Sequence, residues 1–443
     1  MDNKITYRRI WNIAWPIILG SVAQNIITVT DTAFLGRVGE VALGASAIGG
    51  IFYLAVIMLG WGFAIGTQII VSRRYGEGNV GQIGAVIEHA LYFLIPISII
   101  LFLLMHFFAD YFLGFILKSE NILEASKQFL NYRLFGIFFA FLNMAFRALY
   151  IGIGRTKIIT ITTVSMAVVN IFLDYILIFG KLGFAAHGVE GAAIASVMAE
   201  IAATTTFILY VRSDKKLLPY NIFHFKTFSK KLYFRIIRVS TPVMFQNFFS
   251  ISVWFIFFLL VESMGEHSLA ISNIIRSIYV VFMLPIWGFA SATNTLVSWV
   301  IGQGRPEDVM KVVRKVVHLS FFSVLAIVAI VLISPESVLL IYTNDLSLVK
   351  DSIPVLYVVS GSSLVISTGF ILFNGVSGTG KTNVSMLLEL VALVVYLVYS
   401  FSILKYFNAN VTQMWTAEFV YGSLLIILSF FYLRSGKWKG SKI

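Results

Sequence analysis

Two aspartates inside apolar segments are the residues of this chain that are best suited to ion chemistry. Asp31 lies near the end of the first long apolar run, and Asp174 lies near the end of the fifth. An ionisable side chain is costly inside a lipid bilayer and is therefore a candidate functional residue. Acids are favoured at the N-terminal ends of helices, so capping does not explain two acids near C-terminal ends. If the two carboxyl groups share one pocket, their oxygens can bind a proton or hold Na⁺.

Neutral polar residues accompany both aspartates. Gln24 precedes Asp31 by seven residues and Asn170 precedes Asp174 by four, so each amide lies on the same helix face as its acid. Both segments are predicted to run outward, and the acids stand five and six residues before the glycines that follow them. At a rise of ~1.5 Å per residue, the two acids lie at nearly equal depth. The sequence therefore predicts one pocket, in which amide hydrogen bonds support a carboxyl group in either protonation state.

Three further acids lie in apolar runs and are weaker candidates. Glu200 in the sixth run and Glu389 in the eleventh are expected either to line a substrate cavity or to pair with Arg or Lys. Glu418 lies near the outer end of the twelfth run, where its side chain is expected to snorkel to the interface. Methionines suit an adaptable apolar cavity, and packing against lipid or neighbouring helices is the alternative. The methionines considered for the cavity are Met58, Met144, Met166, Met244 and Met283.

The composition of the whole chain indicates a membrane protein. Of 443 residues, 58% are hydrophobic and 12% are charged, and the mean hydropathy is +0.89. Soluble domains typically have ~25% charged and ~45–50% apolar residues. Apolar runs of about 20 residues, long enough to cross a bilayer as helices, recur along the chain. We predict an all-α integral membrane protein with twelve transmembrane helices, at 12–35, 43–72, 84–107, 123–152, 158–179, 191–211, 236–261, 269–300, 316–333, 353–375, 384–406 and 411–433.

Basic residues fall in alternate connections between these runs. Arg8 and Arg9 precede the first run, Arg73 and Arg74 follow the second, and a further cluster occupies the middle connection. By the positive-inside rule, both termini are cytoplasmic and the number of spans is even. The net charge of +12 is therefore explained by topology and not by a nucleic-acid partner. The first run is too long for a signal peptide, and we interpret it as a retained helix.

An internal repeat divides the chain into two copies. Pro16 and Pro242 are separated by 226 positions, and the same offset places the W-G-F-A motif at Trp61 on the W-G-F-A motif at Trp287. Because each copy holds six helices, an even number, the two copies have the same orientation in the membrane. We expect the working part to be a cavity between two lobes that opens alternately to either side. The predicted parts are an N-terminal lobe at 1–212, a cytoplasmic linker at 213–232 and a C-terminal lobe at 233–443.

A nucleotide-binding motif near the end of the tenth run is not interpreted as one. Residues 375–382 satisfy G-x-x-x-x-G-K-[ST], the phosphate-binding loop of nucleotide hydrolases. That loop requires a preceding strand in a soluble α/β domain, whereas these residues lie between two predicted membrane helices. The equivalent residues 149–156 of the first copy keep the last Gly, a base and the Thr. We interpret both segments as helix ends that are closed by glycine and followed by a cytoplasmic base.

A set of motifs in the first copy carries a family resemblance. It consists of Pro16, Gln24, Asp31-Thr32 and Gly36; Gly66-Thr67 and the stretch 72–78; Gly152-x-Gly-Arg-Thr-Lys157; and Asn170-x-x-x-Asp174-Tyr175 with Gly188-Val-Glu-Gly191. Together they resemble the DinF-like branch of the multidrug and toxic compound extrusion (MATE) transporters, and weaker echoes run through the second copy. The resemblance implies two six-helix lobes in a V shape and antiport of organic, often cationic, compounds against H⁺ or Na⁺.

The resemblance also implies roles for individual residues. In the DinF-like branch, the acid of the first helix and the Asn/Asp pair of the fifth form the ion site, and they correspond to Asp31, Asn170 and Asp174. Gln24 matches a polar residue of the same pocket, and Ser196 matches a hydroxyl of the sixth helix. The chain departs from the NorM-like branch, whose seventh helix carries an acid eight residues after its proline, because Ser250 stands at that position. The sequence therefore gives no support for an ion site in the second lobe.

The expected function is secondary active multidrug efflux. We predict a transporter of the cell inner (plasma) membrane that exports small organic compounds by alternating access, works as a monomer and is not an enzyme. No cofactor is expected besides H⁺ or Na⁺ as the coupling ion. The alternative function is a flippase for a lipid-linked oligosaccharide, which would need several Arg or Lys residues at mid-membrane, where this chain is poor in them. A membrane enzyme is the other class, but the chain has no Cys and its six His residues are scattered.

Overall fold

The computed structural model describes residues 5–225 and 228–440, which fold into helices and contain no β-strand. A helix satisfies its backbone hydrogen bonds internally, as a segment in lipid must. Lys226 of the predicted linker lies outside the described residues. The helices are α1 (Tyr7–Val38), α2 (Glu40–Gly76), α3 (Ile83–Ile116), α4 (Glu120–Arg133), α5 (Gly136–Gly152), α6 (Lys157–Phe179), α7 (Gly188–Ser213), α8 (Lys230–Glu262), α9 (Glu266–Gly302), α10 (Val309–Ile333), α11 (Pro335–Leu339), α12 (Leu346–Gly378), α13 (Thr382–Phe407), α14 (Val411–Met414) and α15 (Ala417–Ser435).

The membrane spans agree with the sequence. Within the described residues, eleven helical segments are long and apolar enough to cross a bilayer. The pair α4 and α5 makes a twelfth span if it counts as one bent unit. The predicted fold class, an all-α membrane protein with twelve spans, is therefore confirmed.

The fourth predicted span departs from its prediction. The sequence predicts one helix over 123–152, but the structure divides this segment into α4 and α5, which meet at 50°. The prediction of a continuous helix is wrong here because polar side chains meet at the bend. A Cβ on Gly136, the first residue of α5, would overlap Arg133 and Glu200 and would lie 2.9 Å from the Tyr53 hydroxyl oxygen. The missing side chain at Gly136 lets α5 begin against these three polar groups.

The chain folds into two compact units that are interleaved along the sequence. One unit, called here the C-terminal unit, contains the chain up to Ile18 together with Phe245 and everything after it. The other, the N-terminal unit, runs from Leu19 to Met244. Both units are therefore built from parts of both sequence copies.

The boundaries between the units fall inside helices, close to prolines. Pro16 lies in α1 and Pro242 lies in α8, and each stands two residues before the last residue on its side of the boundary. A proline inside a helix removes one backbone hydrogen bond and bends or weakens the helix there. The lobes predicted from the repeat, 1–212 and 233–443, differ from the compact units in the first parts of α1 and α8. The part of α1 up to Ile18 belongs to the C-terminal unit, and the part of α8 up to Met244 belongs to the N-terminal unit.

Equivalent glycines of the two copies allow α8 to pack closely against α2, and α1 against α9. In the N-terminal unit, a Cβ on Gly62 of α2 would lie 2.5 Å from the Cα atom of Met244 in α8. In the C-terminal unit, a Cβ on Gly288 of α9 would overlap the Cγ1 atom of the Ile18 side chain in α1. The repeat relates Gly62 to Gly288 and Ile18 to Met244. The W-G-F-A motif of each copy therefore packs against the first helix of the other copy, as only a residue without a side chain permits.

The segment that resembles a phosphate-binding loop is a helix end. Helix α12 continues through Gly378, and α13 begins at Thr382. Gly380 between them has φ +86°, and its equivalent Gly154 has φ +73°. Both are left-handed conformations that favour glycine at a helix C-terminus. The interpretation as two helix ends, without a strand before either, is confirmed.

The linker is attached to the N-terminal unit through α3. The backbone N–H of Phe225 donates to Glu88 Oε1 at 2.8 Å, and that of Ser229 donates to His89 Nε2 at 2.8 Å. The His89 ring also stacks on Phe228, with ring centroids 5.2 Å apart. These contacts give two buried polar side chains of α3 a structural role in positioning the chain between α7 and α8.

The core of the C-terminal unit is built around aromatic rings. Phe257 of α8 contacts Tyr396 of α13 and Trp415 at centroid distances of 5.7 and 5.4 Å. Trp415 also contacts Tyr279 of α9 at 6.1 Å. All four side chains are buried. The tyrosine hydroxyl groups of this core are close to two acids, which are described below.

Candidate functional site

The structure brings Asp31, Asn170 and Asp174 together in the N-terminal unit. The Asn170 amide nitrogen lies 2.9 Å from Asp31 Oδ1 and 3.3 Å from Asp174 Oδ2, in the amide orientation that these two acceptors require. The two carboxyl groups also lie within hydrogen-bonding reach of each other. One amide thus bridges two acids from different helices, as the sequence predicts.

The parallel packing of α1 and α6 creates this meeting point. A Cβ on Gly20 of α1 would lie 3.4 Å from the side chains of Ile159 and Thr163 of α6. Eleven residues farther along both helices, Asp31 meets Asn170 and Asp174. The equal register of the two helices keeps the acids at the same depth, because both helices rise by ~1.5 Å per residue.

Asn170 and Asp174 belong to a buried stripe of α6. Residues four and three positions apart on a helix share one face, and Thr163, Ala167, Asn170 and Asp174 follow this spacing. All four are buried, and Asn170 and Asp174 have no exposed surface. The spacing that aligns the amide with the acid is therefore also the spacing that buries them both.

The charge balance of this site decides its chemistry. Asp31 is half-buried, Asp174 is fully buried, and the described residues place no Lys, Arg or His within ion-pair distance of either. The Oδ1 atom of Asp174 is buried without a hydrogen-bond partner among the described residues. Two carboxylates in contact cannot both stay ionised in such a place without a positive partner. The arrangement suits a bound proton or a bound monovalent cation.

Two other predicted members of the site are not joined to it by hydrogen bonds. The Gln24 side chain is exposed, and Ser196 of α7 is half-buried. Neither side chain has a hydrogen-bond partner among the described residues. Their roles in ion binding stay predictions, whereas the contacts of Asp31, Asn170 and Asp174 are observed.

Glu200 follows the second of its two predicted alternatives, pairing with a cation. Arg133 Nη2 donates to Glu200 Oε1 at 2.8 Å, and the Tyr53 hydroxyl donates to the same carboxylate at 2.9 Å. The Arg133 guanidinium carbon lies 3.6 Å from the centre of the Tyr53 ring. The sequence reasoning missed Arg133 and Tyr53. An Arg inside the fourth predicted span, which also contains Arg147, was the available signal, since a base in an apolar run needs an acid nearby.

The acids of the C-terminal unit have hydroxyl partners instead. Glu389 Oε1 accepts from the Tyr421 hydroxyl at 3.0 Å and contacts Ser250 Oγ at 2.5 Å. Glu418 Oε2 accepts from Tyr279 at 3.0 Å, and its Oε1 accepts from Tyr396 at 3.2 Å. The prediction that Glu418 snorkels to the interface is wrong, because its side chain is 3% exposed and held inside the aromatic core.

The predicted cavity methionines have different environments. Met283 is buried in the hydrophobic core of the C-terminal unit and therefore packs against neighbouring helices. Met58, Met166 and Met244 are half-buried. Met244 lies at the close contact with Gly62. A substrate-binding role for these methionines stays a prediction.

The family of the chain follows from comparison with known proteins. The sequence model of the MatE family matches residues 16–176 and again residues 242–402. The chain belongs to the MatE family of transporters. The two matches begin at Pro16 and Pro242, so the internal repeat and the resemblance to MATE proteins are both confirmed. Because the family consists of transporters, the prediction that the chain is not an enzyme is confirmed as well.

Similar proteins match three quarters or more of the chain. A probable multidrug resistance protein NorM of Thermotoga maritima is 26% identical over 96% of this chain and 92% of its own length. The probable multidrug resistance protein NorM of Bacillus subtilis is 24% identical over 76% of this chain and 75% of its own length. These relatives match most of their own length as well as most of this chain.

Solved structures share the fold. The outward-facing structure of a multidrug resistance MATE family transporter of the MOP superfamily has a TM-score of 0.92 at 20% identity, covering 99% of this chain and 98% of that chain. A MOP superfamily transporter from Pyrococcus furiosus has a TM-score of 0.89 at 20% identity, covering 97% and 95%. This MATE chain is therefore a multi-pass membrane protein with the fold of those transporters.

Proposed function

We propose that this MATE protein is a secondary active exporter of small organic compounds, and that it couples export to the entry of a cation at Asp31, Asn170 and Asp174. The observation that carries the proposal is the contact of two acids and one amide, with Asn170 and Asp174 fully buried, Asp31 half-buried and no basic partner within ion-pair distance among the described residues. The names of the NorM relatives support a multidrug substrate range. The charge pattern supports both termini in the cytoplasm, and we propose that the protein works as a monomer in the inner membrane.

The coupling ion is H⁺ or Na⁺, and the geometry suits both. A proton on one carboxyl oxygen removes the repulsion between the two acids and turns that oxygen into a donor. A sodium ion neutralises both carboxylates through the same oxygens, with the Asn170 side-chain oxygen available after rotation of the amide. In either case the empty site carries uncompensated negative charge in a buried place, which makes ion binding favourable.

Coupling requires that the ion and the substrate favour different conformations. An ion shifts a conformational equilibrium only by its difference in affinity for the two states. Asp31 lies on α1, which passes from one compact unit to the other shortly after Pro16. Neutralising the acids changes the contact of α1 with α6, and α1 transmits this change along its length past the proline. Substrate affinity then depends on ion occupancy, and the reverse holds equally.

A transport assay tests the proposal. Purified protein is reconstituted in vesicles, and export of a fluorescent organic cation is driven by a pH gradient and by a Na⁺ gradient, imposed separately. Asp31→Asn is expected to abolish accumulation against the gradient, because the neutral amide cannot exchange an ion. The matched control is Asp110→Asn, since Asp110 is 62% exposed and makes only a 3.8 Å surface pair with Lys127. Full gradient-driven export by Asp31→Asn would refute the proposed coupling site.

A further inference from the structure

Glu389 is a buried acid whose partners are all neutral. Its side chain is 4% exposed, and the described residues place no basic group within ion-pair distance of it. Glu200 of the N-terminal unit is buried to the same extent but is neutralised by Arg133 at 2.8 Å. A buried carboxylate without a counter-charge is costly, so Glu389 needs another source of positive charge.

The contacts of the Ser250 hydroxyl indicate that the source of this positive charge is a proton on Glu389. Ser250 Oγ is 2.9 Å from the backbone oxygen of Gln246, one helical turn earlier in α8, and 2.5 Å from Glu389 Oε1. Both neighbours are acceptors if Glu389 is ionised. A serine hydroxyl has one hydrogen and donates to one acceptor at a time. With an ionised Glu389, Ser250 donates to Oε1 at 2.5 Å, which leaves Ser250 Oγ 2.9 Å from the Gln246 backbone oxygen with no hydrogen between them.

A proton on Glu389 Oε1 satisfies every one of these contacts. The protonated Oε1 donates to Ser250 Oγ, and Ser250 donates to the Gln246 backbone oxygen. The Tyr421 hydroxyl still donates to Oε1 at 3.0 Å. The Oε2 atom, which is buried without a partner among the described residues, then becomes a neutral carbonyl oxygen. A buried carbonyl oxygen without a hydrogen bond costs less free energy than a buried carboxylate oxygen without one, because the carboxylate oxygen carries part of the negative charge.

Hydroxyl groups and one more acid lie close to Glu389. The titratable groups that face this cluster are Tyr279 from α9, Tyr396 from α13, and Tyr421 and Glu418 from α15. The Tyr396 and Tyr421 rings are in contact at 6.1 Å, and Glu418 already accepts from two tyrosines. The basic groups on neighbouring helices lie elsewhere: Arg276 of α9 is exposed over the Phe258 ring, and Lys350 of α12 is exposed.

We propose that Glu389, with Ser250 as its hydrogen-bond acceptor and Tyr421 as its donor, is a second proton-binding site of this transporter, in the C-terminal unit. The proposal rests on the proposed antiport in one respect, namely that the proton is exchanged during the transport cycle. The binding of the proton itself depends only on the contacts described above. An ion site in this half is not expected from the seventh predicted span, because the acid comes from α13 and not from α8.

Infrared spectroscopy tests proton binding without any transport. In lipid nanodiscs near neutral pH, a protonated carboxyl group has a carbonyl stretch that a carboxylate lacks. Glu389→Gln is expected to remove one such band, and Ser250→Ala is expected to shift the same band because its hydrogen-bond acceptor is lost. Asp110→Asn, at an exposed carboxylate, is the control and should leave this spectral region unchanged. A Glu389→Gln spectrum identical to the wild type would overturn the proposal.

Two further experiments test whether the site binds Na⁺ instead of a proton and whether the proton is exchanged during transport. Replacing choline by Na⁺ at constant pH should leave the Glu389 band in place, and its loss would show a sodium site and overturn the assignment of a proton. In vesicles, Glu389→Gln is expected to lower the number of protons moved per substrate, and an unchanged ratio would overturn its exchange in the cycle. If the wild type shows no proton-driven transport at all, the proposed antiport fails, while the infrared band still decides whether Glu389 holds a proton.

Discussion

Replacing Arg133 by methionine is expected to destabilise the protein strongly, because it leaves Glu200 buried without its cation. The two side chains are 12% and 6% exposed and meet at 2.8 Å, so little solvent screens the pair. Removing one partner of a buried ion pair costs ~3–5 kcal/mol, whereas replacing both partners by apolar residues of similar volume is often about neutral. Arg133→Met and Glu200→Leu are therefore each expected to cost ~3–5 kcal/mol, and the double variant much less than their sum.

The assay is a double-mutant cycle on the free energy of unfolding. Unfolding of the wild type, both single variants and the double variant is followed by tryptophan fluorescence in lipid nanodiscs. Asp110→Asn removes the surface pair with Lys127 and is expected to cost at most ~1 kcal/mol. If Arg133→Met is as mild as Asp110→Asn, or if the double variant loses the sum of the two single losses, the pair is not the buried interaction described here.

Three further predictions concern packing, helix bending and helix capping. Gly62→Ala is expected to lower the free energy of unfolding by ~1–3 kcal/mol, because the new methyl group meets the backbone of α8. Gly50→Ala in the same helix is the control, since a Cβ there meets nothing within 4 Å, and equal stabilities of the two variants would contradict the packing. Pro242→Ala restores a backbone donor inside α8 and is expected to raise the thermal stability while slowing transport, and an unchanged transport rate would exclude a role for the proline. Asp345 precedes α12, and hydrogen bonds from the Ser347 hydroxyl and from backbone N–H groups of the first turn lower the pKa of its carboxyl group. Its stabilising effect is then present above the unfolded pKa of ~3.9 and is lost as the pH falls through the lowered pKa. The destabilisation by Asp345→Ala should therefore shrink in strongly acidic buffer, and a loss that stays constant in a pH series of melting temperatures would contradict this.

The site of the N-terminal unit could be predicted because its geometry follows from the periodicity of the α-helix. Helices rise by the same distance per residue, so equal distances from the helix ends place Asp31 and Asp174 at equal depth. The four-residue spacing from Asn170 to Asp174 likewise fixes a shared helix face. Both inferences use only local periodicity, and the structure confirms that these three residues meet.

Contacts between distant helices could not be predicted in the same way. The repeat shows that Gly62 and Gly288 are equivalent, but it does not show which copy supplies the helix that packs against each of them. In the structure each glycine contacts the first helix of the other copy, at Met244 and Ile18. A domain boundary drawn from the repeat alone therefore assigns both helix ends according to chain order and not according to packing.

The environments of the acids other than Asp31 and Asp174 could not be predicted, because their partners lie on other helices. Glu200 meets Arg133 from α4, and the polar bend between α4 and α5 brings the two together. The position of Glu418 near the end of a predicted span indicates an interfacial side chain, yet hydrogen bonds from tyrosines of α9 and α13 hold it in the core. Neither outcome follows from spacing along one helix, since each depends on which helices are neighbours.

We propose that ion binding at Asp31, Asn170 and Asp174 is linked to substrate binding. The most direct test measures the dissociation constant of a fluorescent organic cation in lipid nanodiscs over a series of pH values and Na⁺ concentrations. The wild-type affinity is expected to change with the concentration of one of these ions, because substrate and ion favour different states. In Asp31→Asn/Asp174→Asn the affinity should no longer depend on that ion, or should keep only a residual pH dependence from Glu389. If the double variant retains the full ion dependence of the wild type, the coupling site is not at these residues.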